Sequence, residues 1–95
     1  MGQGDPELAA EVVCAVARAV LAAEDDVERR QAVPLGNTVK WLLAMRDDGS
    51  AADKDQEKLI GLASAVARAK DGDMEALDQL PALVRGVREW FGLRN

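Results

Sequence analysis

Carboxylates are the only abundant reactive side chains in this sequence, so the search for chemistry starts with them. Asp71-Gly72-Asp73-Met74-Glu75 has the alternating acids of a calcium loop. An EF-hand needs Gly at its sixth position and Glu at its twelfth. Those positions hold Ala76 and Ala82. Asp53-Lys54-Asp55-Gln56-Glu57 fails in the same way, with Lys58 and Ser64 there. Both runs read better as helix caps and first-turn acids, which the helix dipole favours. Glu7 and Glu11 lie one turn apart, on the wet edge of an otherwise apolar segment. General acid–base catalysis would need such a pair in a cleft. The sequence contains no His and one Cys. A Ser/His or Cys/His nucleophile therefore has no base, and a zinc site has no ligand set. Cys14 sits mid-helix among apolar residues and reads as a buried structural thiol. The glycines are scattered and form no phosphate-binding loop. No metal or cofactor is expected.

The remaining side chains of interest are aromatic and basic. Trp41, Trp90 and Phe91 are the only aromatics. Core packing is the ordinary expectation for all three. The alternative is an interface anchor, because Trp and Arg dominate binding hot spots. Trp90 and Phe91, with Arg85, Arg88 and Arg94 around them, form the candidate partner-binding set. Asp25, Asp26, Asp47 and Asp48 form a candidate acidic surface.

The elements that must position these residues are helices. Asp5-Pro6-Glu7 marks a start, with Asp as N-cap and Pro at the first helical position. Leu8, Val12, Val16, Val20 and Ala23 then repeat at helical spacing. The predicted helices cover about 7–24, 34–47, 51–70 and 81–91, with short segments near 26–32 and 74–79. Pro81 is expected to break or kink the chain, since a proline ring clashes with the carbonyl four residues back. Gly49, Gly72 and Gly92 are expected to end helices. Ser50 with Asp53 has the spacing of a capping box. No segment alternates with period two. The fold class is all-α: one domain over 1–95, a compact bundle of four main helices and one or two short ones.

Two features qualify that picture. The pentapeptide Ala15-Val-Ala-Arg-Ala19 recurs as Ala65-Val-Ala-Arg-Ala69, and other identities fall at the same offset. A weak internal repeat, 1–48 against 51–95, would make each half a helical hairpin. The first helix is apolar nearly all round, with only Glu7, Glu11 and Arg18 on a wet edge. Such a helix is expected to be central in the fold or to sit in an interface.

Length and composition set the outer bounds. Ninety-five residues fit one domain. Seventeen acids against 12 bases give a net charge of −5. That charge argues against direct nucleic-acid binding, which Lys and Arg drive. No apolar run approaches the ~20 residues of a membrane span. The N-terminus has no basic region or cleavage pattern of a signal peptide. A cytoplasmic protein with no membrane partner is expected.

These features point away from catalysis and toward a non-enzymatic acidic helical interaction module. It would be an adaptor or oligomerisation domain, binding another protein or itself through the first helix or the Trp90 end. By size and helical class alone it is similar to small adaptor domains such as death-fold modules. The alternative is a small acidic inhibitor, an antitoxin or phage-type blocker of a basic, nucleic-acid-binding partner, steered by charge.

Overall fold

The computed structural model describes residues 5–93. The described residues form five helices: α1 (Pro6–Ala22), α2 (Asp26–Ala32), α3 (Gly36–Asp48), α4 (Lys54–Lys70) and α5 (Met74–Phe91). No strand occurs among the described residues.

Aspartates start four of them. Asp5 Oδ1 accepts hydrogen bonds from the backbone N–H groups of Glu7 and Leu8, at 3.0 and 3.2 Å. Asp25, Asp53 and Asp73 cap α2, α4 and α5 in the same manner. Each satisfies donors that the first turn of a helix leaves free. α4 starts at Lys54, not near residue 51. Asp53 rather than Ser50 is its cap, and Gln56 Oε1 accepts from the Ala52 N–H at 2.6 Å. α1 stops at Ala22 for a related reason. Glu28 Oε2 accepts from the Glu24 N–H at 2.7 Å, and Asp25 Oδ1 accepts from the Glu28 N–H, which commits residues 24–28 to a new helix start. α3 begins at Gly36, after Pro34 and Leu35, and has no side-chain cap.

The largest departure from the sequence reading is at Pro81. Residues 74–91 form one continuous helix with Pro81 inside it, not two segments. Proline in a helix interior costs about 3 kcal/mol. Ala76, Leu80, Val84 and Val87 form an unbroken buried stripe along α5. Burying each Leu or Val is worth roughly 1.5–3 kcal/mol, which together outweighs the proline. Pro81 itself points to solvent.

The apolar core joins α1, α3, α4 and α5, with Val33 added from just after α2. α4 packs against α5, α1, α3 and α2, so α4 is the central helix. α1 packs against α4, α5 and α3 along one side only. Its fully buried residues are Ala10, Val13, Cys14, Ala17 and Val20. The shared pentapeptide is used differently in the two helices. In α4, Ala65, Val66 and Ala69 are buried; in α1, only Ala17 of the five is. The offset of 50 also sets α2 against the first half of α5.

Candidate functional site

Trp90 departs from core packing. It lies in the last turn of α5, 45% exposed. Trp41 and Phe91 are half-buried and pack against the core. The Trp90 indole is nonetheless held in place. Its Nε1–H donates to Asp55 Oδ1 at 2.7 Å, and the Lys58 ammonium lies 4.9 Å from the ring centroid. Both partners come from the first turns of α4. Asp55 and Lys58 are three residues apart, so they share one helix face and reach the same ring. A cation over an indole adds about 0.5–1 kcal/mol at an exposed site. The result is a large apolar surface with little rotamer freedom left to lose on binding.

A shallow groove of about 270 Å³ runs from this corner between α4 and α5. Gly61, Leu62, Ala82, Leu83, Gly86 and Val87 line it, and Glu57 and Lys58 connect it to the Trp90 surface. Gly61 and Gly86 sit in helix interiors, where glycine costs about 0.5–1 kcal/mol relative to alanine. A methyl group built at either position meets nothing within 4 Å. The fold therefore does not need glycine at either place, and the groove is deeper for having it.

The other basic candidates separate. Arg85 is exposed on α5, while Arg88 is buried, 6% exposed. Arg88 donates Nη1 to Glu11 Oε1 at 3.2 Å and reaches the Cys14 sulfur, tying α5 to α1. Arg88 thus belongs to the α1–α5 packing, not to the surface around Trp90. Arg94 lies outside the described residues. Burial pushes the Cys14 thiol pKa up, and the Arg88 guanidinium beside it offsets part of the rise. A buried, protonated thiol is a poor nucleophile.

Three of the four acidic candidates are engaged locally. Asp25 caps α2, Asp26 pairs with Arg29, and Asp47 pairs with Arg46. Asp48 is exposed at the end of α3. Asp73 accepts from the Glu75 and Ala76 N–H groups at 3.0 and 3.2 Å, so the calcium-like run is a cap. Among the described residues no group of three or more His, Cys, Asp or Glu is placed to hold a metal ion. No described helix is long and apolar enough to cross a membrane.

Sequence reasoning missed Asp55, Lys58, Gly61 and Gly86. Trp90 and Asp55 are 35 residues apart, and no local pattern links them. A signal did exist for the glycines, since each interrupts an otherwise helical pattern. Comparison with known protein families, curated proteins and solved structures finds no match to this chain.

Proposed function

We propose that this chain is a non-enzymatic helical interaction module that docks another protein on the α4–α5 surface at Trp90. The observation that carries the reading is an exposed tryptophan, fixed by Asp55 and Lys58, beside a groove floored by two glycines that the fold does not require. Preorganised aromatic anchors at the edge of an apolar groove are the usual core of a binding hot spot. Arg85 adds an exposed cation on α5. Local use of Asp25, Asp26 and Asp47 in caps and ion pairs favours this reading over a charge-steered acidic inhibitor.

Immobilised wild-type chain is compared with Trp90→Ala and Gly86→Leu variants for proteins retained from a lysate. A second set neutralises Asp25, Asp26, Asp47 and Asp48 to Asn. The expected result is a specific partner lost with Trp90→Ala and with Gly86→Leu but kept by the Asn set. A partner lost only with the Asn set, and released by moderate salt, would point to the acidic inhibitor instead.

A further inference from the structure

α1 carries a second surface, independent of the Trp90 corner. Its buried side faces α3, α4 and α5. The opposite side is apolar and uncovered among the described residues. Leu8 is 52% exposed, Ala15 and Ala19 are exposed, and Val12 and Val16 are half-buried. Positions 8, 12, 15 and 19 step by four and three, the spacing of a coiled-coil seam. Alanine at positions 15 and 19 lets another helix come close there.

The charges flanking this seam identify what covers it. Glu11 and Arg18 lie along the same edge, seven residues apart and opposite in sign. When two identical helices pair antiparallel across a two-fold axis, like edges meet. Glu11 of each copy then faces Arg18 of the other. Parallel pairing would set this edge against the Val16 edge and leave both charges unmatched. Among the described residues Arg18 forms no ion pair. Glu11 bonds Arg88 yet keeps its side chain 56% exposed, so it has room for a second cation. The surface is thus complementary to itself, as an isologous interface requires.

We propose that α1 is a homodimerisation helix: two copies of this chain pair antiparallel through Leu8, Val12, Ala15 and Ala19, with Glu11 of each against Arg18 of the other. One helix pair covers less than the ~800 Å² per partner of a standard stable interface, so the dimer dissociates on dilution.

The test is solution mass by light scattering behind a sizing column, over a hundredfold dilution range. Wild-type mass is expected to fall toward 10.2 kDa as the chain is diluted. Ala15→Glu places a charge beside the two-fold axis and should give a monomer throughout. Its helical circular dichroism should be unchanged, because Ala15 is exposed. Arg18→Glu turns two attractive pairs repulsive and should weaken association about tenfold. Orientation is read from an equimolar mixture of Leu8→Cys and Ala19→Cys chains under mild oxidation. Antiparallel pairing predicts a mixed 8–19 disulfide dimer, and a predominance of 8–8 dimers would overturn it. A wild-type monomer at every concentration would overturn the proposal as well. So would association that ignores Ala15→Glu and Arg18→Glu, or that is lost with Trp90→Ala alone. The last result would make the α4–α5 surface a self-association site.

Discussion

α1 and α4 are alike in most respects that a sequence reader would use. Each is 17 residues long, starts at an aspartate cap and contains Ala-Val-Ala-Arg-Ala. They end in opposite circumstances. α4 packs against four helices and buries three residues of the pentapeptide; α1 packs against three and buries one. Their C-termini close differently too. Gly72, at φ +104°, turns left-handed after α4, and the Gly72 and Asp73 N–H groups bond back to Ala69 and Arg68 carbonyls. This is the Schellman arrangement, available to glycine at little cost. α1 has no glycine there. Arg29 of α2, 6% exposed, donates to the Val20 and Ala23 carbonyls at 3.1 and 3.3 Å instead. The lesson is that identical local sequence fixes the helix, while neighbours decide which face is buried and how the end is closed.

The comparison is most directly broken by paired substitutions in the two pentapeptides. Ala65→Leu and Ala69→Leu overpack the centre of the bundle and should each cost about 2–3 kcal/mol. The matching Ala15→Leu and Ala19→Leu should stay within about 0.5 kcal/mol in dilute solution, as exposed changes do. Urea unfolding measures both sets. Equal losses in the two helices would show that α1 is as enclosed as α4.

The helix ends sharpen the contrast. Arg29→Met leaves the last α1 carbonyls without their side-chain donor and should cost about 2 kcal/mol. Gly72→Ala forces a side chain into left-handed backbone and should cost about 1 kcal/mol. Amide hydrogen exchange should show the first loosening α1 and α2, and the second only the α4–α5 turn. Faster exchange across α4 in Arg29→Met would contradict a local role for that arginine.

The N-caps should show no contrast at all. Asp5 accepts from two backbone N–H groups and Asp53 from one, yet changing either to Ala removes one side-chain cap and should lower stability by about 1 kcal/mol. Unequal losses would mean that one aspartate does more than cap. Asp53 is the one to watch, because it also lines a small depression with Pro6, Ala9 and Trp41.

The smallest effect concerns the buried thiol that α1 has and α4 lacks. The Cys14 pKa is raised by burial, so the folded chain holds that proton more tightly than the unfolded chain. This contribution is complete below the ordinary thiol range near pH ~8.5 and is lost as pH rises through the folded-state value. Stability of the wild type should therefore fall more steeply above that range than stability of Cys14→Ala. Parallel curves would show that Cys14 titrates alike in both states.

Helix positions were legible because their signals are local. Asp5-Pro6 and Asp73 mark starts, Gly49, Gly72 and Gly92 mark ends, and apolar spacing fills the interval. Pro81 misled because a local penalty met a longer-range gain from Leu80, Val84 and Val87. Trp90 was legible as a candidate by type alone. Its partners Asp55 and Lys58, and the groove glycines, were not, since they meet only when α4 and α5 lie side by side.

The amino-acid sequence by itself determined an all-helical chain, its caps and stops, and an α1 with more apolar surface than one side of a bundle can cover. Only the tertiary structure decided that α4 takes the centre, that Arg88 is buried while Trp90 is exposed, and which side of α1 is left uncovered. Helix formation depends on bonds between residues four apart. Burial depends on which helices meet, and that is settled by the packing of the whole chain at once.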